Sequence, residues 1–145
     1  MWTARDGTVE VGTIPVDSRV DTNLFERYIY AGAISRNPDA VAELFTEDGV
    51  YEAPMLPAGH RLPQRLTGRE AIRAGIVAFH REPAFEGPVD GERTRFVMHE
   101  TADPDVFIVE IDTAFVGNPT LIPLVQIFRV RDGRIAHLRD YFVAP

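Results

Sequence analysis

The chain has 145 residues, a formal charge of −7 and no cysteine, which supports one compact domain and excludes two ordinary ones, a disulfide framework, a thiolate nucleophile and a zinc–thiolate site. The acidic balance and scattered arginines argue against nucleic acid as a partner, because phosphate neutralisation needs clustered Lys and Arg. No apolar run approaches the ~18 residues that span a bilayer, and Met1 to Gly7 lack the apolar stretch of a secretory signal, so a cytoplasmic protein with no membrane partner is expected.

Residues 1–16 carry one short alternation, Val9 and Val11 followed by Ile14-Pro15, and read as an N-terminal arm that includes Trp2. A helical pattern begins at Asp17, with Val20, Leu24 and Tyr28 four apart and Phe25, Ile29 and Gly32 beside them; Asp17 or Ser18 can cap it. Asn37-Pro38 then reads as an N-cap followed by proline at the first helical position. Val41, Leu44 and Phe45 give this second helix one apolar face. Glu47-Asp48-Gly49 ends it, and Val50 to Ala53 reads as a strand. Pro54 to Arg65 is a proline-rich loop, long enough for a lid and equally suited to a passive crossover. Thr67-Gly-Arg-Glu70 has the form of a capping box at the start of a third helix. That helix turns Ile72, Ile76 and Phe79 inward and ends near Pro83.

The remainder is β. Arg95 to Glu100 is one strand, Asp103-Pro-Asp105 a turn, and Phe107 to Val116 a long strand rich in β-branched and aromatic residues. After Gly117-Asn-Pro119, two apolar runs flank Asp132-Gly133, a pairing that favours the type I′ hairpin turn. Pro123 near the start of the first arm marks a bulge or an edge. Leu138, Asp140 and Phe142 share parity, so Asp140 looks into the core with its two apolar neighbours. A carboxylate there is costly without partners, which makes Asp140 the first candidate for chemistry. Segregated helices and antiparallel strands give an α+β class, and a curved sheet wrapped around three N-terminal helices would enclose a pocket.

The element order, the Gly68-Arg-Glu-Ala-Ile72 helix start and the closing Asp132-Gly-Arg-Ile with Arg139-Asp-Tyr-Phe142 resemble the SnoaL-like branch of the nuclear transport factor 2-like superfamily. That branch includes polyketide cyclases, limonene-1,2-epoxide hydrolases and the phenazine A/B proteins. The resemblance covers roughly residues 17–143, so residues 17–145 are expected to form a single SnoaL-like domain. It implies a cone with an internal pocket, no cofactor and no metal, a hydrophobic small molecule as partner, and a homodimer formed through the outer face of the sheet.

Residue by residue, the epoxide hydrolases use an Asp–Arg–Asp set with a Tyr and an Asn that hold water. Asp140 matches the closing-strand Asp, Asp112 the Asp of the long strand, and Tyr51 the Tyr. Glu110 stands where the Arg belongs and Ala53 where the Asn belongs. Ala53 also falls about where ketosteroid isomerases keep an Asp base, and the pocket His of the phenazine proteins falls near Gly75. In the family match Glu110 and Asp112 face the pocket; the opposite parity would turn them to solvent and Val109, Ile111 and Thr113 inward. The resemblance implies a catalytic set of Asp140, Asp112, Glu110 and Tyr51. Gln126, His99, Leu124, Leu138, Phe142 and Ala53 would contact substrate. One of three like-charged carboxyls would hold its proton near neutrality.

These residues point to cofactor-independent acid–base chemistry on a hydrophobic molecule, as a cyclase or isomerase of a polyketide- or terpenoid-like intermediate. Epoxide opening by Asp140 and Asp112 is one alternative, and a non-catalytic ligand-binding protein is another.

Overall fold

The computed structural model describes residues 22–60 and 62–144; the expected arm over 1–16 and the caps at Asp17 or Ser18 lie outside these. In chain order the elements are α1 (Thr22–Ile29), α2 (Pro38–Glu43), β1 (Phe45–Glu52), β2 (Arg65–Thr67), α3 (Arg69–Arg81), β3 (Arg95–Glu100), β4 (Val106–Thr113), β5 (Ile122–Arg131) and β6 (Arg134–Tyr141). They build one six-stranded sheet in the order β2-β1-β6-β5-β4-β3. The last four strands form the expected antiparallel meander, whereas β1 returns to pair in parallel with β6.

Local chemistry accounts for most of the element ends. Asn37 Oδ1 accepts from the Ala40 backbone N–H at 3.1 Å with Pro38 in the first helical turn, as its sequence requires. Asp132 and Gly133 both adopt positive φ, 53° and 75°, the type I′ geometry that the Asp-Gly pair favours. Pro123 lies in β5 beyond the last β6 pairing, Val125 with Tyr141, so its missing N–H falls where the strand has an edge on that side.

Two expectations are corrected here. The second helix gives up Phe45, which opens β1; Gly49 lies where an added side chain would stand 3.0 Å from the Thr46 carbonyl oxygen, and the register to β6 shifts between Phe45 and Val50. Both Phe45 and Tyr51 thereby pack with the core. The capping box does not form, because Thr67 belongs to β2, opposite Val50. The N-cap is Gly68, at φ 93° and with no side-chain bond, a conformation open chiefly to glycine. Glu70 pairs with Arg73 instead.

The helices lie across the inner face of the sheet. Leu24, Phe25 and Tyr28 of α1, Val41 and Leu44, and Ile72 of α3 pack against Phe96, Met98, Phe107, Val109, Phe128 and Leu138. Phe107 and Phe128 are direct cross-strand partners and stack with ring centroids 4.8 Å apart, while Phe25 and Tyr28 meet Phe128 edge-on. Replacing the fully buried Phe128 with Ala is expected to cost about 3–5 kcal/mol, measured as a lower urea midpoint with an unchanged slope.

Candidate functional site

Between the inner face of the sheet and the helices lies a cavity of about 180 Å³. Its sheet wall includes Tyr51, Ile111, Thr113, Leu124, Gln126, Asp140 and Phe142. Its helix wall includes Tyr28, Ile29 and Gly32 beside Ile76, Phe79 and His80. Leu56, Leu62 and Pro63 of the loop after β1 complete it, so that loop is part of the wall; within it Gln64 Nε2 donates to the Leu56 carbonyl. Phe85 closes the far side, ring against ring with Phe115 and Phe142.

Asp140 is 7% exposed and sits where its parity with Leu138 and Phe142 placed it. A bulge earlier in β6, between the pairs Arg129 with His137 and Val130 with Ile135, leaves this stretch in alternation. Its two partners follow from the ladder. Gln126 is its direct cross-strand neighbour on β5, and Gln126 Nε2 donates to Asp140 Oδ1 at 3.4 Å. Tyr51 pairs with Leu138 in the parallel ladder, so its ring lies on the same face two residues short of Asp140. The Tyr51 hydroxyl donates to Asp140 Oδ2 at 2.7 Å.

Burial dominates the electrostatics. It pushes the Asp140 carboxyl up to about 6, although the hydrogen bonds from Tyr51 and Gln126 pull in the opposite direction. Burial, followed by the charge of Asp140, holds the Tyr51 and Tyr28 phenols well above their ordinary value. Both phenols therefore stay protonated throughout the neutral range, and the carboxyl is the group that changes state.

The remaining expected site residues separate into three groups. Leu124 and Phe142 line the cavity. Leu138 is fully buried in the main core, and Ala53, 1% exposed, packs with Leu56 and Phe142 behind the wall; both fall short of the cavity surface. Glu110, Asp112 and His99 are corrected. On β4 the buried positions are Phe107, Val109, Ile111 and Thr113, which turns Glu110 and Asp112 to the outer face. There the Glu110 and His99 side chains, 47% and 39% exposed, pair at 2.7 Å, and Asp112 stands opposite Arg95 in the ladder. The physical reason is solvation: an outer-face carboxylate keeps its water, whereas three in one apolar cavity would have to give it up. Among the described residues, Asp140 supplies the one carboxyl of the cavity wall.

Two wall residues have roles that sequence reasoning did not assign. Tyr28 reads from its four-residue spacing as core, yet it also lines the cavity beside Asp140. His80, in the last turn of α3, also lines the cavity, with Nε2 donating to the Gly32 carbonyl at 2.9 Å. That carbonyl lies in a π-helical turn, Tyr30–Ile34, continuing α1; insertions of this kind recur at functional sites. The spacing of α3 carries a signal for His80, one residue from the inward Phe79 and four from Ile76.

Among the described residues no helix is long and apolar enough to cross a membrane. The structure resembles a hypothetical protein from Catenulispora acidiphila with a ketosteroid isomerase-like fold, crystallised with trimethylamine. The TM-score is 0.59 and the identity 22%, over 83% of this chain and 85% of that one. A phenazine biosynthesis-related protein from Pseudomonas aeruginosa aligns at TM-score 0.60 and 23% identity, over 82% and 76% of the two chains. An epoxide hydrolase from M. tuberculosis, of the limonene-epoxide-hydrolase-like kind, aligns at 0.51 and 22%, over 83% and 80%. In sequence the chain is 26% identical over 123 residues to the uncharacterized protein YesE of Bacillus subtilis (strain 168), covering 80% of this chain and 77% of that protein. Residues 25–138 match the family described as the SnoaL-like domain, and the chain belongs to that family.

Proposed function

We propose that the protein is a cofactor-independent enzyme that moves a proton on an apolar small molecule, with Asp140 as the carrier and cyclisation or isomerisation as the outcome. The observation that carries this reading is one carboxyl, raised to about 6 by burial, held against an apolar cavity by Tyr51 and Gln126. A general base works best with a pKa near the operating pH. In its ionised form Asp140 takes a proton from carbon next to a substrate carbonyl. The enolate so formed is reprotonated elsewhere by the same carboxyl, or attacks an internal carbonyl whose alkoxide recovers the proton. One carrier suffices for either sequence, and no net proton is consumed. The cavity, at about 180 Å³, supports a ligand built on one ring, since a dry cavity of ~150 Å³ accepts benzene.

Epoxide opening is the second reading, supported by the Asp140–Tyr51 pair and by the fold shared with the epoxide hydrolase from M. tuberculosis. It uses Asp140 in the opposite state, as a neutral acid that protonates the epoxide oxygen.

Deuterium wash-in next to the carbonyl of small apolar enones and β-diketones tests the proposal. Asp140→Asn is expected to slow exchange by about 10²–10⁴, while Glu110→Gln, altering an exposed pair on the outer face, should stay within about twofold. Retention of the wild-type rate by the Asp140 variant would leave only a ligand-binding role.

The pH dependence separates the two chemistries. If the carboxylate is the working form, kcat/KM rises as the pH passes upward through about 6. Activity that falls through the same range, with diol produced from an epoxide, would establish the acid role instead.

Stability carries the same titration. The unfolded chain releases the Asp140 proton near ~4, and the folded one near 6. Between these values the native state binds more protons, so this group makes stability fall as pH rises from about 4 to about 6, with a plateau above. Asp140→Asn should lack that decline and be more stable than wild type at neutral pH by on the order of 1–3 kcal/mol, as read from urea melts across the range.

A further inference from the structure

Among the described residues, the cavity wall contains two buried polar atoms without a hydrogen-bond partner, Gln126 Oε1 and His80 Nδ1. Both are acceptors. Gln126 is 4% exposed and spends an amide N–H on Asp140, which leaves its carbonyl oxygen unmet. His80 gives its Nε2–H to the Gly32 carbonyl; a carbonyl can only accept, so in the neutral ring the proton is on Nε2 and Nδ1 carries a bare lone pair. The Tyr51 hydroxyl, by contrast, is already committed to Asp140. Buried polar groups are nearly always satisfied, and the exceptions call for a partner. Here one unmet acceptor lies in the sheet wall beside the carboxyl and the other lies in the helix wall.

We infer that the cavity is built for an apolar ligand carrying hydrogen-bond donors, such as an alcohol, a phenol or an enol, read by Gln126 Oε1 and His80 Nδ1. The inference rests on the proposed role of the cavity as the substrate site and narrows the substrate class. A hydrocarbon, ether or simple ketone offers these two atoms nothing, and it leaves them desolvated and unpaired. A hydroxylated ring satisfies at least one of them and brings its apolar body against Leu124, Ile76 and Phe79. A site that hydrogen-bonds a hydroxyl discriminates strongly against the analogue without it, because its buried groups are otherwise stranded. His80 is thus a specificity-determining residue on the wall facing the acid–base group.

The test compares 4-propylphenol with propylbenzene, nearly equal in shape and differing in one donor, by titration of the full chain. Wild type should bind the phenol at least about tenfold more tightly, the worth of one good hydrogen bond. The double variant His80→Phe/Gln126→Leu should bring the two affinities together by weakening the phenol alone, with the single variants dividing the effect. On the wild-type protein, nitrogen NMR should report an Nε2–H imidazole at His80, and the phenol but not propylbenzene should shift His80 Nδ1 or the Gln126 side-chain amide. That measurement decides the matter even where a variant fails to fold. Equal affinities in wild type, or a phenol advantage that survives the double variant, would overturn the inference and leave proton transfer by Asp140 to be judged from its own rates. Absence of binding by both probes overturns this inference together with the cavity's role as a substrate site.

Discussion

The structure is organised around the burial of one carboxyl group. Asp140 is placed inward by the same alternation that buries Leu138 and Phe142, and no local adjustment of the strand could expose it without exposing them. Burial without rescue would be expensive. The sheet supplies a partial rescue from its two neighbouring strands, Tyr51 on one side and Gln126 on the other. Partial is the operative word: two donors ordinarily lower a carboxyl, yet Asp140 stays raised to about 6. Its charged form is therefore held at a cost of about 3 kcal/mol at neutral pH. A fold selected for stability alone would be better served by an apolar residue there.

That placement was legible in the sequence because the parity of one short strand decides it. The long strand β4 was not legible in the same way. Its inward set, Val109, Ile111 and Thr113, and its outward set, Glu110 and Asp112, were both visible, and elementary solvation favours the arrangement found. Likeness to the epoxide hydrolases pointed the other way, and the cost of three carboxyls in one apolar cavity is the stronger argument. The pairing of Glu110 with His99 shows where those groups went: across the ladder on the outer face, where water shares the load.

Non-local pairing accounts for most of what the chain concealed. The parallel return of β1 onto β6, the three-residue β2 and the register shift around Gly49 depend on strands far apart in sequence. The Thr67-Gly-Arg-Glu70 pattern failed for the same reason. Thr67 was claimed by a ladder with Val50, and a side chain engaged as a strand residue was replaced as N-cap by the backbone of Gly68. His80 belongs with these cases: its significance arises only when α3 is laid beside the π-helical turn after α1, which brings the Gly32 carbonyl to Nε2 and thereby fixes which nitrogen is left bare.

The wall chemistry also bears on what attacks what. Activating water requires donors and acceptors that hold it in line, and the position that would supply such a group beside Tyr51 is Ala53, buried behind Leu56 and Phe142. Tyr51 itself donates to Asp140. A water in this cavity would meet the carboxyl and the bare acceptors of Gln126 and His80, without an amide beside Tyr51 to hold it in line. A nucleophile that belongs to the substrate needs no such holder, because the apolar walls fold it against its target and the effective concentration does the rest. On the proposed reading, with Asp140 as proton carrier on the sheet, His80 as acceptor on the helices and Ala53 where a water-holding amide would stand, the site suits reactions in which bonds are rearranged within a single molecule better than reactions that consume water.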